Sequence, residues 1–180
     1  MGVRGTRRSR NELDDSKNSY CLMRDVDDIL TYAKKNNFYQ GDKLDILSLI
    51  SSIPDIEISM EEFDSKISGS LSKEKDKWII RVNKTHDYRR QKFTIAHELG
   101  HYVLHRDLGN EFSDVVFFRG MTNDGHEYEA NDFASDLLMP ESRILYYWNV
   151  EHIHDIAVLS DLFGVSAPAM MYRIKKLGCK

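Results

Sequence analysis

Cysteine and proline are scarce in this chain of 180 residues, and a long apolar run is missing altogether. The two cysteines, Cys21 and Cys179, stand near opposite ends. They form no CxxC unit and no disulfide framework, so neither cross-linking nor a cysteine-built metal site is expected. Three prolines and ten glycines nowhere gather into a linker that would split the chain. There is no internal repeat and no low-complexity block. No apolar stretch approaches the roughly 20 residues that span a bilayer. The net charge of −4 gives no general attraction to nucleic acid or membranes. Acid is absent from the first ten residues, "MGVRGTRRSR", which hold four arginines and lack the apolar core of a signal peptide. Residues 1–20 are therefore expected to be a basic disordered tail, and the thiols to be reduced in a cytoplasmic protein.

What is present suits a soluble globular protein with a real core: 41% hydrophobic and 30% charged residues. "DVDDILTYAKKNNFYQGD" (25–42) has Ile29, Leu30 and Ala33 at helical spacing, with Gly41 as a stop. "LDILSLISSIP" (44–54) predicts a shorter helix that Pro54 ends. "IEISMEEF" and "KISGSL" alternate in part, and "KDKWIIRVN" (75–83) predicts a strand with Trp78, Ile80 and Val82 on one face. The polar link "SKEKD" suits a hairpin, so a small antiparallel sheet is expected before the next helix. That helix starts near Tyr88 to Arg90 and ends near His105 or Arg106. "DVVFFRG" (114–120) predicts a further strand or edge segment. Residues 125–149 read as helical to about Leu138, with Pro140 breaking the helix or opening another. Residues 150–178 read as helix, turn at Gly164, helix.

The stretch "FTIAHELGHYVLH" (93–105) places His97, Glu98 and His101 inside an apolar helical run. Burying such groups is unfavourable unless something satisfies them, and a metal ion would satisfy all three. Histidines four apart lie on one helix face, where both imidazoles can hold one ion. Zinc favours such nitrogen ligands in four-coordinate geometry and lowers the pKa of bound water to about 7. Glu98 leaves the helix at another angle and is placed to take the proton as water attacks a carbonyl. Manganese or iron would also accept histidine and glutamate.

The third ligand separates the possible classes. The pattern HExxHxxGxxH is excluded, because Leu104 and Asp107 stand where glycine and histidine would be needed. In "EYEANDFASDLLMP", Glu127, Asn131 and Ser135 form a polar stripe at four-residue spacing. Ala130 and Ala134 are small enough to let another helix approach. Glu127 is expected as third ligand and Asn131 as a residue orienting the ligands from behind. Glu129 points to another side and is expected to be a surface charge. His105 drifts around the helix and reads as a helix-end residue. For an oxyanion, the spacing does not choose among His86, His126, Tyr128 and Tyr102.

These blocks, followed by "LSDLFGVSAPAMMYRIKKLG", resemble the ImmA/IrrE family of metallopeptidases over roughly residues 25–178, most strongly at 93–105 and 127–140. The resemblance places the zinc-binding pattern on His97, His101 and Glu127 and the catalytic glutamate on Glu98. The "EANxFA…LLMP" signature falls on Glu129 to Pro140. It implies an α+β fold with a zincin-like metallopeptidase core, mainly helical with a small antiparallel sheet. A core over residues 21–149 is expected, with a helix-turn-helix-like unit over 150–180 packed on it and no room for a separate sensor domain. The resemblance further implies a Zn²⁺-dependent endopeptidase of gluzincin type. Its protein substrate or partner would be a helix-turn-helix repressor or antitoxin, and a substrate segment is expected to lie as a strand along the sheet edge.

Two other function classes stay in view. One is a toxin or binding module acting through complex formation, with zinc mainly structural. Glu98 argues against it, because a structural site closes with four protein ligands and has no use for a neighbouring carboxylate. The other is a DNA-binding regulator using the C-terminal helices. Their core candidates are Leu159, Leu162, Val165, Met171 and Ile174. The second helix opens on "SAPAMMYR", small and apolar, with only Arg173, Lys175 and Lys176 basic. That pattern suits a structural or substrate-contacting unit better than direct DNA binding.

Overall fold

The computed structural model describes residues 23–109, 111–115 and 124–179. The basic segment 1–20, Cys21 and residues 116–120 of the run read as a strand lie outside them. Capping signals set the first elements. Asp25 caps α1 (Val26–Lys35), its carboxylate accepting from the Asp28 amide at 2.9 Å, which satisfies a donor that the first turn leaves open. Ile29 and Ala33, one turn apart, are fully buried. The helix stops well short of Asp42. Asn37 adopts a left-handed φ of 58°, a region asparagine tolerates better than most residues. Gly41, at φ 65°, instead turns a small hairpin of β1 (Tyr39–Gln40) and β2 (Lys43–Leu44). Asp45 then caps α2 (Ile46–Ser51), which is shorter than the expected span because Leu44 belongs to the hairpin.

β3 (Ile56–Glu61), β4 (Ile67–Glu74), β5 (Lys77–Asn83) and β6 (Glu111–Val115) form one sheet in the order β3-β5-β4-β6. The expected hairpin is β4–β5, closed through Lys75 and Asp76 with Glu74 opposite Lys77. It folds back so that β5 fills the place between β3 and β4. β3 and β5 therefore run parallel, while β4–β5 and β4–β6 are antiparallel. The fold is α+β with a small sheet, as expected, but one of the sheet's pairings is parallel. Trp78, Ile80 and Val82 share the inner face of β5 and are buried, with Leu71 opposite Ile80.

The helix α3 (Tyr88–His105) packs on this sheet, capped by Asp87, which accepts from the amides of Arg89 and Arg90 at 3.0 and 3.2 Å. Every residue from Thr94 to Val103 is buried. A helix buried all round needs cover on two sides, and the second is α4 (Asp124–Leu138). Missing side chains permit both contacts. A Cβ on Gly69 of β4 would lie 2.6 Å from the Arg81 carbonyl oxygen and 2.6 Å from Thr94 Cγ2. A Cβ on Gly100 would lie 3.1 Å from Phe133 Cδ1 and 3.2 Å from Ala130 Cα.

Pro140 opens α5 (Glu141–Asn149) as its N-cap residue. α6 (Ile156–Phe163) ends at Gly164, left-handed at φ 65°, and α7 (Ala167–Lys176) follows. Leu159, Val165 and Ile174 are buried as expected and Leu162 partly so, but Met171 is exposed and Met170 takes the inner place. Arg173 and Ile174 together set the buried face of α7, and residue 170 lies three and four places before them. Two buried cations tie this helical pair to the rest. Lys92 Nζ donates to the Phe163 carbonyl at 3.1 Å. Arg173 Nε donates to the Met139 carbonyl at 3.0 Å, while its Nη1 pairs with Asp136 at 2.5 Å.

Two outcomes follow from this packing. Gly69→Ala forces β4, β5 and α3 apart and lowers stability by about 1–3 kcal/mol; an unchanged urea midpoint would refute the close approach. Lys92 supplies a pH signature. Burial, helped by Lys43, lowers its ammonium to about 8, against about 10.4 in the unfolded chain. Between these values the unfolded chain holds the proton and the folded one does not, so this group's contribution to stability rises with pH. The phenol of Tyr39, held up at about 12 by burial and Asp42, acts in the opposite sense only above its ordinary value. From about pH 8 to 10 the rise is on the order of 2 kcal/mol. It disappears in Lys92→Met, read as urea midpoints at the two pH values.

Candidate metal centre

Histidines 97 and 101 stand one turn apart on α3, and α4 crosses them closely enough to bring in Glu127. His97 Nε2 and His101 Nε2 are 3.1 Å apart. Glu127 Oε2 lies 3.3 Å from His97 Nε2, and Glu127 Oε1 lies 3.3 Å from His101 Nε2. Among the described residues these three form the one group of histidine, cysteine or acidic side chains whose ligand atoms converge enough to hold an ion. The separations themselves are informative. Donors bound at about 2.0–2.1 Å to a tetrahedral ion stand roughly 3.3 Å from one another, and each imidazole nitrogen lies at that distance from one of the two Glu127 oxygens.

Protonation is consistent with ligation, which needs neutral imidazoles and an ionised carboxylate. Burial lowers the His101 imidazole below its usual range, against the pull of Glu127. Burial alone would raise the Glu127 carboxyl, but its contacts with the His101 and then the His97 ring outweigh it and hold the group well below the usual carboxylate range. Asn131, one turn after Glu127, lies beside His97: its Oδ1 is 3.1 Å from His97 Nδ1. With the amide oxygen in that place, Nδ1–H donates and the Nε2 lone pair is left facing Glu127. The asparagine thus stands where the four-residue spacing put it.

Glu98 is fully buried on the sheet side of the same helix, its Oε1 3.3 Å from where a Cβ on Gly69 would be. A carboxylate in that position, next to His97 in the chain and flanked by β4, has the desolvated setting that suits a general base.

Two residues are more closely attached to the cluster than their spacing suggested. His105 ends α3, as expected, but is buried and lies 3.0 Å from His101, Nδ1 to Nδ1. Glu129 is exposed, yet its Oε2 is 2.9 Å from His105 Nε2. The signal available in the sequence was the repeated four-residue step 97, 101, 105. Among the oxyanion candidates, His86 precedes α3 and bonds the Ser65 carbonyl, roughly 15 Å of helix away from His97. Tyr102 packs edge-on against Trp78, with Arg106 over its ring. Tyr128 is exposed beneath Lys176. His126 is the one beside the cluster, its ring centroid 4.5 Å from that of His105.

Comparison with known proteins places the same stretch. A model of the IrrE N-terminal-like domain family matches residues 43–175, which include every residue of the centre. Metallopeptidase ImmA of Bacillus subtilis (strain 168) is 39% identical over 79 residues, 43% of this chain and 44% of that protein. Uncharacterized immunity region protein 2 of Bacillus phage phi105 is 33% identical over 114 residues, 62% of this chain and 67% of that one. The match to the ImmA protein thus spans less than half of that relative's length.

His101→Ala and Glu127→Ala each leave two donors where a tetrahedral ion needs more. Elemental analysis after dialysis is expected to find metal in the unsubstituted protein and little in either variant. Full occupancy in one of them would remove that residue from the ligand set.

Proposed function

The chain belongs to the family of the IrrE N-terminal-like domain, and from that premise and the geometry of the centre we propose that it is a zinc-dependent endopeptidase. Its substrate is a peptide bond in a protein regulator, a helix-turn-helix repressor or antitoxin, whose cleavage relieves repression in the cytoplasm. The observation that carries this reading is the convergence of two imidazole nitrogens on one carboxylate, each 3.3 Å from one of its oxygens, with a buried glutamate beside the first histidine. Zinc suits nitrogen and oxygen donors so spaced. The ImmA relative is itself named a metallopeptidase, and the partner class rests on the family resemblance alone.

His97, His101 and Glu127 would hold the ion, with Asn131 fixing the His97 ring. The bound metal would supply a water acidified to a pKa of about 7 and polarisation of the scissile carbonyl. Glu98 accepts the proton of the attacking water and delivers it to the leaving amine. Its burial against Gly69 keeps bulk water off the carboxylate, so the proton has one place to go. β4 runs past Glu98 and is paired on its far side with β6, an outer strand of the sheet. An extended substrate segment adds to that edge through backbone hydrogen bonds.

Glu98→Gln removes the base and leaves the three ligands untouched. It is expected to retain zinc and fold while repressor cleavage falls by at least about 10²-fold. The check is intact mass of a cognate repressor incubated with each protein, beside elemental analysis. Cleavage at the unsubstituted rate would end the general-base assignment. An intact repressor held in a stable complex by the zinc-loaded, unsubstituted protein would replace proteolysis with a binding function.

A further inference from the structure

The helix that carries both histidine donors carries a third histidine whose ring meets the second. We propose that His105, backed by Glu129, is a positioning residue that holds His101 with its Nε2 lone pair directed at the metal centre. This rests on the reading of His97, His101 and Glu127 as ligands.

The hydrogen count leads there from the outside inward. An ionised carboxylate can only accept, so Glu129 Oε2 takes a hydrogen from His105 Nε2 at 2.9 Å. In a neutral imidazole with one nitrogen donating, the other must accept. With His105 a neutral imidazole, its Nδ1 accepts from His101 Nδ1–H at 3.0 Å. That leaves His101 Nε2 without hydrogen, 3.3 Å from Glu127 Oε1 and 3.1 Å from His97 Nε2. Asn131 imposes the same tautomer on His97. The two donor rings are thus oriented by two different devices, an amide for the first and a histidine–carboxylate chain for the second. Both devices end on α4, the helix that also supplies Glu127.

Packing alone does not account for His105. It is 2% exposed and its ring lies over that of His126. A leucine would fill that space without the cost of burying two ring nitrogens, and the imidazole is favoured there only if both nitrogens are used. Glu129 is more than half exposed, so water can replace part of what it does. The effect of its removal is accordingly smaller than that of His105.

The test is zinc affinity, measured by competition with a chromophoric chelator, with the fold of each metal-free variant checked by circular dichroism and urea unfolding. His105→Leu keeps the volume and removes the acceptor; its affinity is expected to fall about 10- to 100-fold. His105→Gln places an amide oxygen towards His101 and an amide nitrogen towards Glu129, and is expected to recover most of the loss. Glu129→Ala is expected to lose a few-fold. A purely structural role for His105 would move stability and not show rescue by glutamine. Affinity equal to the unsubstituted protein in His105→Leu overturns the inference while leaving the ligand set standing. If His105→Leu does not fold, unchanged affinity in Glu129→Ala overturns it. Zinc binding absent from the unsubstituted protein would overturn the ligand reading and this inference together.

Discussion

Three donor atoms on two helices must come within roughly 3.3 Å of each other to share a tetrahedral ion, and that requirement sets how closely α3 and α4 pack. Histidine and glutamate side chains are of limited reach, so the helix backbones must do most of the approaching. Gly100 meets Ala130 and Phe133 where the helices touch, and no Cβ would fit comfortably on that glycine. On its opposite side α3 is pressed as tightly against the sheet, where Gly69 meets Thr94 and the Arg81 carbonyl. The one helix is thus gripped on both sides, through its own Gly100 against α4 and through Gly69 of the sheet, and the same packing buries Glu98.

Such burial would be costly if the polar groups on α3 went unmatched, since each imidazole or ammonium taken from water needs a partner. The structure distributes those partners over the elements around α3. α4 answers three histidines with Glu127, Asn131 and Glu129, and the end of α6 answers Lys92 with the Phe163 carbonyl. Chemistry and architecture are therefore carried on a single element: displacing α4 would unpair the histidines, and displacing α6 would leave a buried ammonium. This is why the fold tolerates so many ionisable groups in its centre.

What could be read in the sequence was local. His97, Glu98 and His101 declare themselves by spacing within one turn, and β5 by the alternation of Trp78, Ile80 and Val82. Glu127 and Asn131 were legible because small residues and a polar stripe coincide on one helix. Errors arose where a second choice competed with the pattern. Gly41 seemed the natural helix stop, but Asn36 and Asn37 come first and asparagine is enough. Met170 and Met171 are chemically equivalent, and the face of α7, set by its contact with the core, separates them. The parallel pairing of β3 with β5 is decided by where the β4–β5 hairpin folds, a non-local matter. His105 ends α3, as its spacing implies, and measured from His101 it is also the next step of the same ladder.

The C-terminal helices bear on function through this same framework. A helix pair that reads DNA presents the cations of its second helix to phosphates. Here Arg173 is buried on Met139 and Asp136, and Lys176 pairs with Asp132. Two of the three basic residues of α7 thus pair with α4, Arg173 from a buried place and Lys176 from an exposed one, and Lys175 is exposed beside them. α7 consequently holds α4 by Asp132 and Asp136, on the helix whose Glu127, Glu129 and Asn131 face the histidines. Arg173 and Lys176 thereby brace the helix that carries Glu127.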